Sequence, residues 1–303
     1  MDQNVTTADL DRVLGFTIPA RHARGRIARL GPALDRILDA HAYLPAIERL
    51  LAEALVLASL LGATLKDGEG QLTLQAQTKG VVSLLVCDYK SGELRGYVQY
   101  DADRFSALPP EPTLADLVGE GYLAVTFDQA LTGERYQGIV PLDGESLAEA
   151  AQSYFFQSEQ IPSLVRLAVR RQADYMVAGG LFLQHLPEGE VGRERLHVRL
   201  DHPEWEHVAA LGGTTEAGEL VDAALPLETL VWRLFNEEDE VRVLGDVSLT
   251  RGCRCSPDYV AQVLAKFSDE ERAEMADEHG TIGVGCAFCG VTIPVPLSQF
   301  AAK

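Results

Sequence analysis

No basic segment and no long hydrophobic run occur in these 303 residues. The formal charge is −19, with 26 basic against 45 acidic side chains, and residues 181–252 alone hold 6 basic and 15 acidic groups. Phosphate backbones need a basic face, so this balance argues against nucleic acid as a partner. It also helps keep a chain dissolved if apolar surface is sometimes uncovered. The longest apolar stretch, Ala54 to Ala63, lies inside a helical pattern. It falls well below the ~20 residues that span a bilayer, so no membrane partner is expected. Met1 to Leu10 is polar and acidic, without a basic start leading into an apolar run, and no secretory signal is expected. No GxGxxG, P-loop or GxSxG pattern occurs, which leaves no nucleotide site and no residue in a catalytic role. The chain reads as a non-enzyme. The histidines do not pair convincingly with one another or with cysteines. His202 and His207 lie five apart, poor spacing for two ligands on one helix face, and are expected to meet solvent. The acidic run Glu237 to Glu240 is read as a solvated helix end.

Cysteine is scarce too, at five residues, but four of them are concentrated as Cys253-x-Cys255 and Cys286-x-x-Cys289, with 30 residues between the pairs. Two close pairs arriving from separate pieces of chain suit a tetrahedral tetrathiolate site for one zinc ion. The CxC pair is tighter than the CxxC of common zinc knuckles. Cys87 ends an apolar strand and is expected in the core. Clustered thiols without an export signal predict a reducing cytoplasm.

The sequence around the thiols predicts a small module. Ser256-Pro257-Asp258 reads as an N-cap, a first-turn proline and a first-turn acid, opening a helix through about Phe267. Ser268 and Glu271 predict a capping box for a second helix through about Glu278, stopped near Gly280. Thr281 to Pro296 reads as a hairpin carrying the second cysteine pair, and Leu297 to Lys303 is expected to fray. About fifty residues hold too little core to fold without a staple. Metal would contribute on the order of 10–16 kcal/mol. If near-neighbour thiols were oxidised in pairs instead, loops of about four residues would return only about 2 kcal/mol each. Unfolding on oxidation is therefore physically accessible, although the spacing alone favours a permanent structural zinc site.

Upstream, the pattern predicts an α+β chain. Helical spacing runs from Pro32 to Leu65, restarting at Pro45. The period then changes to two, with strands expected at Leu72 to Ala76, Val81 to Val86, Leu94 to Tyr100, Gly121 to Phe127, Tyr136 to Val140 and Leu164 to Arg170, and a helix around Leu147 to Phe156. Three units follow: an N-terminal core domain of antiparallel sheets and helices over 1–180, a mostly helical, marginally stable linker over 181–252, and a zinc-binding tail over 253–303. Within the linker, Pro187 to Arg199 is charged and broken by glycine. Pro226 opens an amphipathic helix whose Leu227, Leu230, Val231, Leu234 and Phe235 share one face, which must lie on the N-terminal domain.

Several segments resemble the heat-shock protein 33 family of redox-regulated holdase chaperones. They are the two cysteine pairs with Gly290 following, Gly133-Glu134-Arg135-Tyr136-Gln137-Gly138, Ser158-Glu159-Gln160-Ile161-Pro162, Ala178-Gly179-Gly180 and Leu230-Val231-Trp232-Arg233-Leu234. The resemblance covers nearly the whole chain. It implies one zinc held by Cys253, Cys255, Cys286 and Cys289 in an inactive reduced state. It further implies that oxidation forms Cys253 with Cys255 and Cys286 with Cys289 disulfides, releases zinc and unfolds the tail. The linker is then destabilised, and a dimer holds unfolding client proteins without ATP. Two rival readings carry tests. A thiol-disulfide oxidoreductase using Cys286 and Cys289 should turn over a small disulfide substrate. A constitutive structural-zinc interaction module should keep its zinc through peroxide treatment.

Overall fold

The computed structural model describes residues 9–65, 70–129, 133–172, 175–186 and 202–300. Pairing begins with Arg12–Ile18 (β1) and Ala23–Leu30 (β2), an antiparallel hairpin. Asp11 then reaches across the hairpin, its carboxylate accepting from the Gly31 and Ala33 N–H groups at 2.8 Å each. It thereby caps Pro32–Leu38 (α1), whose own N-cap position is a glycine. Pro45–Gly62 (α2) follows, a helix apolar on almost every side and buried along most of its length. Such a helix needs apolar partners all round.

Those partners are two sheets. Gln71–Thr78 (β3), Val82–Lys90 (β4) and Glu93–Tyr100 (β5) form a meander. Two short helices, Ala102–Phe105 (α3) and Leu114–Val118 (α4), lead to Gly121–Asp128 (β6) and Arg135–Pro141 (β7). Leu147–Tyr154 (α5) precedes Ser163–Arg171 (β8) and Met176–His185 (β9). Cys87 points from β4 into the core beneath α2 and is fully buried.

Beyond β9 the described chain resumes with Pro203–Gly213 (α6), Ala217–Leu220 (α7) and Leu227–Phe235 (α8). Then come Arg242–Ser248 (β10), Thr250–Arg251 (β11), Pro257–Leu264 (α9), Asp269–Met275 (α10), Thr281–Gly285 (β12) and Thr292–Pro296 (β13). One sheet has the order β10-β1-β2-β9-β8, the second β11-β5-β4-β3-β6-β7, and β12 pairs with β13 alone. The fold is α+β with antiparallel sheets, apart from the parallel β11–β5 pair, as the period change after α2 predicts. The sequence boundary at residue 180 falls inside β9, a central strand. The stretch 181–252 therefore supplies half of β9 and all of β10 as well as three helices. Pro187 to Arg199 lies outside the described residues.

Candidate metal centre and the contacts that dock it

The tail folds as its local signals predict, with shorter helices, except that Leu297–Phe300 forms a 3-10 turn where fraying is expected, with Phe300 beneath the Arg272 guanidinium. The Ser256 Oγ accepts from the Tyr259 N–H at 3.1 Å to cap α9, which ends at Leu264, and the Ser268–Glu271 capping box opens α10, which ends at Met275. Val260, Ala261, Leu264, Ile282, Ile293 and Val295 form a separate small apolar cluster. Between β12 and β13 the chain turns through Cys286 to Gly290. The turn is closed by Gly290 N–H to Cys286 O and Cys286 N–H to Val291 O, both 2.9 Å, with Gly290 at φ 70°. The CxxC turn thus joins two strands; it does not lead from a strand into a helix as a thioredoxin-type motif does.

All four thiol sulfurs lie within 4.8 Å of one another. Cys253 Sγ is 3.1 Å from Cys255 Sγ and 3.6 Å from Cys286 Sγ, and Cys255 Sγ is 3.5 Å from Cys289 Sγ. Thiolate–metal bonds of about 2.3 Å in a tetrahedron place sulfurs about 3.8 Å apart, so the group can hold a metal ion. Burial opposes ionisation of the Cys253 thiol. Hydrogen bonds from the Cys255 backbone and from the Cys255, Cys289 and Cys286 thiols outweigh it and bring the pKa down to about 7. The hydrogen bond with Cys253, followed by burial, pushes Cys255 up, and burial pushes Cys289 up. One sulfur therefore ionises first, as expected where thiols share charge.

The centre touches the core through a residue that binds nothing itself. The Phe288 ring, between the last two cysteines, packs edge-on to Tyr97 at 5.0 Å between centroids and lies 4.0 Å beneath the Arg95 guanidinium. Arg95 is held by Asp88 at 2.6 Å, and Asp88 accepts from the Thr73 hydroxyl at 2.7 Å. A Cβ on Gly290 would sit 2.6 Å from the Ala40 carbonyl oxygen. On the other side Arg254 donates to the Gln71 side chain at 2.6 Å, and β11 pairs with the start of β5. Nothing in the sequence marks Phe288, Arg95 or Gln71 as partners.

A second docking surface lies on the outer face of the first sheet. Leu227, Leu230, Val231 and Phe235 of α8, with Trp205 and Val208 of α6, are buried against Phe16, Ile18, Ile27, Leu181 and Leu183. The amphipathic face predicted from Leu227 onward does lie on the core. Gly179 explains part of the Ala178-Gly179-Gly180 segment: a Cβ there would sit 2.1 Å from the Leu220 carbonyl oxygen, so α7 rests directly on β9. Two expectations need correction. Glu238 is not solvated; its side chain is 3% exposed and bridges Arg21 Nε at 2.8 Å and His207 Nε2 at 2.7 Å. His207 is exposed as expected while its ring also meets Glu238, whereas His202 caps α6 with its ring 4.9 Å from that of His185. An isolated acidic run gave no sign of the arginine at position 21. Elsewhere Gly138 lies under the Tyr154 ring, while the Tyr154 hydroxyl donates to Glu159 at 2.9 Å and Tyr136 to the Ser158 carbonyl at 3.3 Å. Two of the quoted sequence segments thus meet at one tyrosine.

Comparison with known proteins agrees with this arrangement. A family model described as "Hsp33 protein" matches residues 11–293. The chain belongs to the Hsp33 family. A relative in Caulobacter vibrioides, named 33 kDa chaperonin, is 42% identical over 287 residues, covering 92% of each chain. Another in Yersinia pestis with the same name is 35% identical over 274 residues, covering 89% of this chain and 87% of its own length. The crystal structure of a 33 kDa chaperonin, a heat shock protein 33 homolog from Thermotoga maritima, superposes with a TM-score of 0.78 at 23% identity. It covers 95% of this chain and 96% of that one. Membership makes the chain a chaperone by family, a class that binds unfolded client proteins, and its four clustered thiols are a group that can hold a metal ion. No helix among the described residues is long and apolar enough to cross a membrane.

Proposed function

We propose that this chain is a redox-regulated, ATP-independent holdase of the cytoplasm. Cys253, Cys255, Cys286 and Cys289 hold one zinc ion in a reduced, inactive state. Bound zinc supplies the cross-link that keeps the tail folded, because the tail's own cluster is small. The 1–180 core, the 181–252 linker and the 253–303 tail are then three units of decreasing independence. The single observation that supports this reading most is the sharing of one turn by two tasks. Cys286 and Cys289 complete the thiol group, while Phe288 and Gly290 between and beside them seat the tail on the core.

Activation by peroxide follows from thiol chemistry. One thiolate of a near-neighbour pair attacks a peroxide oxygen, giving a sulfenic acid as the O–O bond breaks and water leaves. The neighbouring thiolate displaces a second water and forms the S–S bond. Each disulfide consumes two thiolates, one peroxide and two protons from solvent and releases two waters, so two peroxides convert Cys253 with Cys255 and Cys286 with Cys289. The sulfurs can no longer ligate, the tail loses its cross-link and unfolds, and the linker helices α6 to α8 are destabilised with it. The outer sheet face of Phe16, Ile18, Ile27, Leu181 and Leu183 is then open to unfolding clients, and activated chains pair as homodimers. Peptide mapping of peroxide-treated protein should find those two disulfides, with a doubled mass by light scattering. A Cys253 to Cys286 bond as the main product would contradict the pairing, and a monomer holding clients would contradict the dimer.

A further inference from the structure

At the C-terminal end of α2, the inner face of the first sheet carries two cations side by side. On β2, Arg24, Arg26, Ala28 and Leu30 project to one side. Ala28 and Leu30 join the cluster around α2, whereas Ala23 and Ile27 on the other side meet α6 and α8. Arg24 and Arg26 are half-buried, and each is anchored through one donor. Arg24 Nε donates to Gln184 Oε1 at 2.9 Å, and Arg26 Nε donates at 2.9 Å to the carbonyl of Ala63, the C-cap of α2. Gln184 is itself buried on β9, and its amide donates to the Ser163 hydroxyl at 3.5 Å. Among the described residues the Nη1 and Nη2 groups of both arginines have no hydrogen-bond partner, which leaves two end-on forks of donors. Nor does any carboxylate among the described residues pair with either. In a chain with 45 acidic against 26 basic side chains that is unusual, and Arg12, Arg21, Arg95 and Arg233 each meet a carboxylate. The carbonyl end of α2 offers only about half an elementary charge against two cations. Burial lowers the pKa of both, and the Arg24 charge lowers that of Arg26 further, but a guanidinium stays protonated at any physiological pH. Two adjacent, partly desolvated cations without a counter-ion repel one another, and an anion spanning both relieves the cost. A carboxylate has two oxygens and one charge, enough for one fork. A phosphate group carries about −1.5 to −2 charges and three strong acceptor oxygens, and arginine takes it end-on through two parallel bonds.

We infer that Arg24 and Arg26 form a phosphate-binding site on the core, apart from the thiol group and from the face that the linker covers. Bound phosphate ties β2 to β9 through the Gln184 anchor and to the end of α2 through the Ala63 anchor. The ligand is a phosphate group, either the free ion or the end of a phosphate chain. The test uses the full-length, reduced, zinc-loaded chain in chloride buffer at fixed pH and ionic strength. Titration calorimetry with inorganic phosphate should show saturable binding of about one ion per chain, and acetate should bind at least tenfold more weakly. Tripolyphosphate separates the two sources, binding more tightly than phosphate if the site takes a chain end and more weakly if it takes the free ion. Arg24→Gln and Arg26→Gln should each weaken phosphate binding at least tenfold. Arg26→Lys, which keeps the charge and loses the fork, should weaken it several-fold and reports the same effect if a glutamine variant does not fold. The thermal midpoint of the core should rise with phosphate to a plateau in the parent and stay flat in the glutamine variants. Without phosphate those variants should melt above the parent, because the repulsion is gone. A parent that binds no phosphate saturably, or folded variants that bind it within twofold of the parent, would overturn the inference. So would a midpoint that climbs without a plateau and equally in parent and variants, which is the general effect of an excluded salt.

Discussion

Cys87 and the four clustered thiols differ in surroundings, and that difference sets their reactivity. Burial raises the Cys87 pKa well above that of an ordinary thiol, and the side chain has no exposed surface. After peroxide treatment, unfolding in denaturant should expose one free thiol per chain; zero would mean that Cys87 is oxidised as well. Gly179 offers a second residue-scale prediction. Gly179→Ala places a methyl group against the Leu220 carbonyl, and overpacking of this kind costs about 1–3 kcal/mol. The variant should bind Nile red without oxidant while keeping its metal. At this scale the thiol group was legible because cysteine pairs at short spacing are rare and point at one another. Phe288 on Arg95 and Arg29 on Leu220 were not. The two ends of the latter contact lie 191 positions apart, and neither carries a local pattern that names the other.

Among elements, α8 and the Arg21–Glu238–His207 bridge carry the linker's attachment. Leu230→Ala removes a fully buried side chain from the shared cluster and should cost about 2–5 kcal/mol of linker docking, read as a lower oxidant threshold for client holding. The bridge gives the docking a pH dependence. Burial alone would raise the Glu238 pKa, but hydrogen bonds from Arg21 and His207 hold it below the ordinary value. A depressed carboxylate pKa contributes stability above the ordinary value of 4.5 and loses it as pH falls through the folded value. Arg21 likewise lowers Glu204, so both carboxylates act in the same window. Fluorescence of buried Trp205 should therefore report linker loosening below about pH 4.5, a step that Glu238→Gln shrinks. An unchanged step would remove the bridge from the account. The elements with clear periods, α1, α2, β3 to β8 and α8, were readable in advance. β1, β2 and β10 were not: β2 alternates only over its first five residues and then buries Arg29 among apolar ones, and β10 is largely exposed.

For the whole molecule, the described residues form three apolar clusters: a small tail cluster, a linker cluster shared with the first sheet, and a core around α2 to which Phe182 and Leu249 also contribute. Removing metal from the reduced chain with a strong chelator should melt residues 253–300 and leave the core's cooperative thermal transition in place. Loss of both transitions together would contradict the separation into units. The central claim is that metal loss and client holding are one event. The measurement that tests it most directly follows zinc release with a chromophoric chelator and light scattering of a denaturing client in one sample, under peroxide at raised temperature. About one zinc per chain should leave as aggregation becomes suppressed, with the two traces rising together. Zinc that stays bound, or that leaves without any gain in client holding, would make the four cysteines a permanent staple and contradict the switch.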